Sequence, residues 1–217
     1  MSNLVRIEAK STAFLMCDLQ TQFCGRLFGS KWVVHTADKL IKASNILNIP
    51  LLVTEQNPTA FGHTIPELDI SHATLCEPKS QFSMLTPRVK EALEGVGSVV
   101  LFGAEAQYCV LQSCLDLIRL GKHVRIVVDG VSSVNRTELH LAFQRMAHAG
   151  AVLATYDSLI TELVWDSDHP SFHELLKIGK SGQSLAATNP ILLQMSNISS
   201  PKIAPAAKNL SYLHANL

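Results

Sequence analysis

Three residues with ionisable side chains stand at the ends of apolar segments, and together their types could perform a nucleophilic reaction. Asp18 closes the segment FLMCD, Lys79 follows TLCEP, and Cys109 comes shortly after VVLFG. A thiol becomes a good nucleophile when it ionises, and a helix start or a nearby ammonium group favours the thiolate. A carboxylate within hydrogen-bond reach could accept the thiol proton and later pass it to a leaving group. These residue types therefore suit covalent hydrolysis, provided that the fold brings them together.

Each of these residues also has a purely structural interpretation. Cys109 could fill the core as a small apolar thiol. Asp18 could cap a helix or a turn, and Lys79 could be a solvated surface charge. In that case the chain would be a catalytically idle scaffold or a protein that binds a metabolite. The two interpretations differ in whether the three side chains share one crevice, which depends on the elements that carry them.

Apolar segments of strand length recur along the chain and lack alternation, as is typical of strands buried on both faces. They occupy residues 12–19, 49–56, 98–103, 123–130 and 151–158, with a weaker one at 72–78. Helical patterns lie between them at residues 31–48, 86–94, 108–120 and 136–149, and a last helix is predicted from Asp168 and Pro170 to Gly179. Strand alternating with helix predicts an α/β fold, a three-layer αβα arrangement with a doubly wound, mainly parallel sheet.

In a doubly wound sheet, ligands bind at the carboxyl ends of the strands. The predicted strands place Asp18, Lys79 and Cys109 at such ends, so we expect one shared crevice. Cys109 also falls at the start of a predicted helix, whose first N–H groups have no partner within the helix. The same groups could hold a developing oxyanion.

The length and composition predict one α/β domain over residues 1–179. With 217 residues, of which 47% are hydrophobic, the chain can bury one sizeable core, and two full domains would be cramped. Residues 180–217 lose the helical periodicity and gain Ser, Asn, Ala and Pro. We interpret them as a C-terminal extension that packs on the domain or on a partner subunit.

Charge and cysteine content favour a small-molecule substrate and an intracellular setting. The 18 basic and 18 acidic residues balance, so nothing supplies the field that would attract nucleic acid or a membrane surface. Five scattered cysteines suit free thiols in a reducing compartment. We therefore predict a cytoplasmic protein, with a mitochondrion or, from the terminal ANL, a peroxisome-like organelle as alternatives.

Three segments carry a resemblance to a known family. FLMCDLQTQF, EPKSQFSM and LFGAEAQYCVLQSCLDLIRLGKHVRIVVDGVSS resemble the isochorismatase-like cysteine hydrolases, the superfamily of nicotinamidases and N-carbamoylsarcosine amidohydrolases. The resemblance covers about residues 10–165. VTEQNPTAFGHTIPEL is similar to the isochorismatase domain-containing branch, whose members mostly lack an assigned substrate. The resemblance implies the isochorismatase-like hydrolase fold and a homo-oligomer, a dimer or a tetramer.

The resemblance also implies roles for particular residues. Asp18 would be the general base and acid, Lys79 the charge that orients and stabilises, and Cys109 the nucleophile. A non-proline cis peptide would fall at Ala104–Glu105. It would aim the backbone N–H of Glu105 at the oxyanion beside the N–H of Cys109.

Two departures from the family pattern narrow the chemistry. Nicotinamidases carry an aspartate and histidines after the second strand that bind a metal, whereas this chain has Thr54, Glu55 and Gln56 there. We therefore expect no metal, no other cofactor and no nicotinamide substrate. Isochorismatases proper lack the nucleophilic cysteine, so Cys109 argues against isochorismate chemistry. Metal-independent hydrolysis of an amide-type or ester-type bond through a covalent Cys109 intermediate remains, with the ribonuclease label of some relatives as a further alternative.

Further residues are candidates for contact with the substrate because they lie near the predicted crevice. They are Gln20, Phe23, Glu55, Gln56 and Phe61. Gln20 could equally be a surface turn residue, and the two phenylalanines could simply anchor their loops.

Overall fold

The computed structural model describes residues 6–181 and 187–196 of the chain, and these residues form a parallel sheet flanked by helices. Its six strands are β1 (Thr12–Cys17), β2 (Leu51–Gln56), β3 (Leu75–Lys79), β4 (Ser98–Ala104), β5 (His123–Ser132) and β6 (Val152–Ala154). The strand order is β3-β2-β1-β4-β5-β6, and each neighbouring pair is parallel. The predicted doubly wound α/β fold is therefore confirmed.

Nine α-helices are found within the described residues, and two groups of them flank the sheet. They are α1 (Thr21–Cys24), α2 (Ser30–Ile46), α3 (Pro58–Phe61), α4 (Pro87–Ala92), α5 (Leu111–Arg119), α6 (Arg136–Ala149), α7 (Tyr156–Val164), α8 (Phe172–Lys180) and α9 (Pro190–Ser196). One group consists of α2 with α7 and α8, and the other of α5 with α6. A π-helical turn, Ala106–Val110, leads directly into α5. No helix in the described part of the chain is long and apolar enough to cross a membrane.

The core centres on β1 and β4, which are buried along their whole length. Their side chains are almost all apolar, and Phe14 of β1 meets Phe102 of β4 edge to face, with ring centroids 6.4 Å apart. Such an arrangement is favourable for aromatic pairs. Burial on both faces explains why these segments read as continuous apolar runs in the sequence.

The strand order reverses between β1 and β4, and this switch point lies where a crevice is expected. The chain leaves β1 through Asp18, whose φ of 48° lies in the left-handed region. Beside it, β4 passes Gly103 with φ of 121°. A Cβ at Gly103 would lie 2.0 Å from the carbonyl oxygen of Cys17, so only glycine allows this close approach of the two strands.

The prediction of a last strand over residues 151–158 is wrong for most of these residues. Strand β6 ends at Ala154, and α7 begins two residues later. Thr155 and Ser158 form a reciprocal capping box that starts this helix, which the sequence interpretation missed. The apolar residues that follow recur with a helical period and pack into the core, namely Leu159, Ile160, Leu163 and Val164.

Smaller differences concern the ends of elements. The weaker apolar segment predicted at residues 72–78 corresponds to β3. The strand begins and ends later than predicted, so that Lys79 is its last residue. Helix α8 begins at Phe172 and includes Gly179, which was expected to end it. The helix expected over residues 108–120 is preceded by the π-helical turn, so Cys109 lies inside that turn rather than at its first position.

The C-terminal extension is described only in part. Helix α9 contributes Ile191, which is buried, and Arg136 Nε donates to Gln194 Oε1 at 3.1 Å. Residues 182–186 and 197–217 lie outside the described residues.

Candidate active site

Asp18 is held in the crevice by contacts to two neighbouring strands, β2 and β3, and to the residue before it. Its Oδ1 accepts a hydrogen bond from Thr54 Oγ1 at 2.8 Å, and its backbone N–H donates to Thr54 O at 3.1 Å. Its Oδ2 accepts from Lys79 Nζ at 2.8 Å and from Cys17 Sγ at 3.5 Å. The carboxylate is buried and fixed by hydrogen bonds to both oxygens.

Lys79 reaches this carboxylate from β3, two strands away, and its side chain has 0% exposure. Five acceptors surround its Nζ, namely Asp18 Oδ2 at 2.8 Å, Gln56 Oε1 at 2.6 Å, Gln81 O at 3.2 Å, Phe82 O at 3.1 Å and Cys109 Sγ at 3.5 Å. Burial alone would lower the pKa of Lys79, but the acidic groups of Cys17, Asp18 and Cys109 outweigh it and raise that pKa. The ammonium form is therefore favoured in the site.

Cys109 lies at the start of the helical segment that follows β4, and its side chain contacts the same ammonium group. Its Sγ is 3.5 Å from Lys79 Nζ and 3.8 Å from Gln56 Oε1. Its carbonyl oxygen accepts from Ser113 Oγ at 2.6 Å, and that hydroxyl accepts from Met84 N at 2.8 Å. Asp18, Lys79 and Cys109 thus converge on one point.

Cys17 is an additional member of the cluster that the sequence did not suggest. Its Sγ, an oxygen of Asp18 and Cys109 Sγ all lie within 4.8 Å of one another. Neighbouring residues of a strand normally point to opposite faces, but the left-handed conformation of Asp18 breaks that alternation. Burial raises the pKa of the Cys17 thiol well above its ordinary value, and a hydrogen bond with Cys109 and the charge of Asp18 add to this effect.

These three acidic side chains could in principle ligate a thiophilic cation. Lys79 Nζ, however, already donates to Asp18 Oδ2 and to Cys109 Sγ, so an ammonium group occupies the cationic position among them. Residues 54–56 stand where nicotinamidases carry metal ligands. Glu55 is the acidic residue among them, and its oxygens already accept hydrogen bonds from Thr64 and His63.

The peptide bond between Ala104 and Glu105 is cis. The Glu105 carbonyl accepts from the N–H groups of Tyr108 at 3.1 Å and Val110 at 3.3 Å. Its carboxylate Oε2 accepts from Val134 N at 2.7 Å and from Gln107 Nε2 at 3.4 Å. Glu105 is therefore anchored through both its main chain and its side chain at the edge of the crevice.

A cavity of about 200 Å³ opens beside Cys109. Its lining consists of Asp18, Phe23, Gln56, Phe61, Phe82, Ala104, Glu105, Tyr108 and Cys109. Phe23 stacks on Phe61 with centroids 4.6 Å apart, and Phe82 stacks on Tyr108 at 6.0 Å. Phe82 and Tyr108 were not among the predicted residues, although they lie close in sequence to Lys79 and Cys109.

Gln20 and Glu55 do not belong to this lining. Gln20 Nε2 donates to Gln56 O at 3.0 Å and to Gly62 O at 2.5 Å, and its Oε1 accepts from Gln56 N at 2.7 Å. Glu55 accepts from Thr64 N at 2.7 Å and lies 2.8 Å from His63 Nδ1. Burial would raise the pKa of Glu55, but these bonds lower it. Both side chains therefore form hydrogen bonds that hold the loop after β2 in place.

Comparison with known proteins gives the family of this chain. Residues 12–158 match the model of the isochorismatase domain. Isochorismatase domain-containing protein 1 of Salmo salar is 38% identical over 176 residues, which are 79% of this chain and 62% of that protein. The chain thus spans slightly less than two thirds of that relative.

Solved structures resemble the whole fold. The MAR1 ribonuclease of Caenorhabditis elegans is 37% identical with a TM-score of 0.80, covering 92% of this chain and 100% of that one. The YcaC gene product of Escherichia coli, described as an octameric hydrolase of unknown specificity, is 22% identical with a TM-score of 0.77, covering 89% and 100% of the two chains. This second likeness is one of fold alone.

The doubly wound parallel sheet and the family model over residues 12–158, which is more than half of the chain, agree on the class of this domain. The chain belongs to the isochorismatase domain family.

Proposed function

We propose that the protein is a metal-independent cysteine hydrolase that cleaves an amide-type or ester-type bond of a small molecule. The observation that carries this proposal is the position of Lys79 Nζ, 2.8 Å from Asp18 Oδ2 and 3.5 Å from Cys109 Sγ. A carboxylate, an ammonium group and a thiol thus share one buried point that opens into a cavity.

In the first half of the reaction, the Cys109 thiol gives its proton to Asp18, which lies within 4.8 Å of it. The sulfur then forms a bond to the carbonyl carbon, and the carbonyl electron pair moves to the oxygen. We propose that the N–H groups of Glu105 and Cys109 bind this oxyanion, since donors aimed at a developing charge are a large source of catalysis. Lys79 stabilises the negative charges around it.

The oxyanion then collapses, the bond from carbon to the leaving nitrogen or oxygen breaks, and Asp18 returns its proton to the leaving group. A thioester on Cys109 remains. In the second half, Asp18 takes a proton from water, the resulting hydroxide attacks the thioester carbon, and the acid product departs. The sulfur leaves as a thiolate and recovers the proton from Asp18, which restores the starting state.

The test is turnover of a panel of small amides and esters by the wild-type chain and by Cys109→Ala. We expect the variant to lose activity by at least about a thousandfold, since removing a nucleophile removes the covalent route. Cys76→Ser is the matched control, because Cys76 is exposed and lies outside the cavity. Turnover that survives Cys109→Ala would reject the proposal.

A catalytically idle binding or scaffold protein is the alternative that the sequence left open. It would be favoured by Asp18, Lys79 and Cys109 lying too far apart to share a ligand. Their shared contacts at 2.8 and 3.5 Å support the catalytic proposal instead.

A ribonuclease is the second candidate, favoured by the name of the Caenorhabditis elegans neighbour. The cavity has a volume of about 200 Å³, and no arginine, lysine or histidine is among the residues of its lining that the structure describes. A phosphodiester is charged and would gain no cationic contact there. If the purified chain cleaved RNA and Cys109→Ala did not, the ribonuclease would replace the small-molecule hydrolase as the proposed function.

We further propose that the chain forms a homo-oligomer. The Escherichia coli neighbour is described as an octamer. Large apolar side chains are exposed at Leu141, Trp165 and Leu193, and subunit contacts would cover such groups. Light scattering coupled to size-exclusion chromatography would give the number of subunits, and a monomer at micromolar concentration would contradict the proposal.

We also propose an intracellular location, with the cytoplasm first. All five cysteines are free in the structure, as expected in a reducing compartment. Fluorescence microscopy of the chain tagged at its N-terminus would test this, and a secreted or surface-bound signal would contradict it.

A further inference from the structure

We propose that the cavity beside Cys109 selects an uncharged substrate in which a flat apolar group, about one ring in size, adjoins the reacting carbonyl. The inference rests on the proposed cysteine hydrolase function and adds a substrate class to it. Three features of the cavity carry it, namely its volume, its aromatic walls and the carboxylates in the described part of its lining.

The volume limits the part of the substrate that enters. Apolar protein cavities of about 150 Å³ hold one benzene molecule. The cavity of about 200 Å³ therefore has room for one six-membered ring or its aliphatic equivalent, together with a small group such as a carboxamide. A peptide segment or a nucleotide would leave most of its atoms outside.

The walls favour a flat apolar surface. Of the nine lining residues, four are aromatic, and they form the stacked pairs Phe23 with Phe61 and Phe82 with Tyr108. Phe82 and Tyr108 are 58% and 52% exposed, so their rings offer apolar surface that the folded chain itself does not bury. A ring placed between such walls gains both burial and stacking.

The charges of the lining disfavour an anionic substrate. Among the described residues of the lining, the groups that carry charge are the carboxylates of Asp18 and Glu105, and each already accepts hydrogen bonds from the protein. The ammonium group of Lys79 is enclosed by the acceptors described above. A substrate carboxylate would therefore lose its hydration without gaining a cationic partner, which is costly.

A cationic group is disfavoured at the reacting end for a related reason. Asp18, which lies beside the Cys109 sulfur, already accepts from Thr54 at Oδ1 and from Lys79 at Oδ2, so a cation there would lose its hydration without an acceptor of its own. An uncharged amide or ester combines best with these surroundings.

The experiment uses thiol electrophiles as probes, because the substrate is not identified. Iodoacetamide and iodoacetate have nearly the same size but differ in charge, and N-benzyliodoacetamide adds one ring to the uncharged probe. The rate of alkylation at Cys109 is followed by peptide mass spectrometry in the full chain carrying Cys76→Ser, which removes the exposed thiol. Each rate is divided by that of 2-mercaptoethanol with the same probe.

We expect iodoacetate to react at least about tenfold more slowly than iodoacetamide, because its carboxylate finds no partner in the cavity. The benzyl probe should react about fivefold faster than iodoacetamide, because its ring contacts the aromatic walls. Phe82→Ala and Tyr108→Ala should each remove most of the benzyl advantage and leave the ratio between the two small probes unchanged. Leu120→Ala, at the exposed residue that caps the C-terminal end of α5, is the matched control and should change neither ratio.

Iodoacetate reacting as fast as iodoacetamide, or a benzyl advantage that is absent or survives both aromatic variants, would overturn the substrate class while leaving the cysteine chemistry intact. A Cys109 that resists all three probes would instead reject the proposed function on which the inference rests.

Discussion

At the scale of single residues, the site depends on a buried pair of opposite charges, Asp18 and Lys79. Removing charges from water is expensive, and an ion pair in the interior is tolerated only when hydrogen bonds satisfy both partners. Here Thr54 and Cys17 supply further donors to the carboxylate, while Gln56 and two backbone carbonyls accept from the ammonium group. Asp18 lies 2.8 Å from Lys79 Nζ and is the carboxylate that balances the charge of the ammonium group.

This arrangement predicts strong coupling between the two residues. We expect Lys79→Met to lower the free energy of unfolding by about 3–5 kcal/mol, because it leaves a buried carboxylate without its cation. The double variant with Asp18→Asn should lose less than the sum of the two single losses. Urea unfolding of the four proteins measures this.

The exposed pair Arg88 and Glu77, 2.8 Å apart, provides the matched control. The arginine side chain is 66% exposed, so Arg88→Met should cost only about 0–1 kcal/mol. Equal losses at Lys79 and Arg88 would show that burial of the first pair has no energetic consequence.

The sequence was informative about residues at the ends of strands and less so about their neighbours. Asp18, Lys79 and Cys109 could be placed in one crevice because the carboxyl ends of parallel strands meet at one edge of a sheet. Cys17 could not be placed there, since only the left-handed backbone of Asp18 turns both side chains to the same site. Gln20 and Glu55 lie near the crevice in sequence, but their hydrogen bonds to the loop direct them away from the cavity.

At the scale of elements, the site requires β1 and β4 to approach closely just before their functional residues. Gly103 of β4 is paired with Cys17 of β1, and Cys17 is the residue directly before Asp18. The absence of a Cβ at Gly103 permits this approach. The geometry of the site is therefore set by the backbone of the two central strands.

Gly103→Ala should destabilise the fold by at least about 2 kcal/mol, because its Cβ would overlap the Cys17 carbonyl and its positive φ disfavours a side chain. Gly25→Ala should change stability by no more than about 0.5 kcal/mol, since nothing lies within 4 Å of the added Cβ and its φ is −65°. Thermal unfolding compares the two. A Gly103→Ala variant as stable as the wild type would contradict the close approach of β1 and β4 at this point.

Periodicity identified the five longer strands of the sheet, with β3 as the weakest signal, but it missed α7. The apolar residues Val152 and Leu153 continue into the apolar face of that helix with only a short interruption. The decisive signal was the pair Thr155 and Ser158, whose mutual caps begin the helix. Capping by hydrogen bonds therefore outweighed the appearance of one long strand.

At the scale of the whole molecule, a polar contact ties the sheet to the outer helices and to the N-terminal segment. Arg125 of β5 donates to Glu162 of α7 at 2.7 Å, and Glu162 also accepts from Ile7 N at 3.2 Å. Burial would raise the pKa of Glu162, but these donors outweigh it and lower that pKa. The contact thus depends on the ionised carboxylate.

The sign of the pH dependence follows from this lowered pKa. The contact stabilises the fold above pH 4.5, the ordinary value for glutamate, and the stabilisation is lost as the pH falls through the lower pKa of the folded chain. We expect the difference in urea midpoint between the wild type and Glu162→Gln to shrink as the pH falls from 7 to below 4.5. A difference that stays constant over this range would contradict the role of the ionised form.

The most direct test of the central claim, that Asp18, Lys79 and Cys109 form one nucleophilic unit, is the rate at which iodoacetamide alkylates each cysteine of the folded chain. Burial raises the pKa of Cys114 to about 12 and that of Cys17 well above its ordinary value, so neither should react appreciably. We predict that Cys109 reacts at least about a hundredfold faster than either, because its sulfur lines the cavity and lies 3.5 Å from Lys79 Nζ, whereas Cys17 and Cys114 are fully buried and do not line the cavity. A Cys109 that reacts as slowly as Cys114 would contradict the claim.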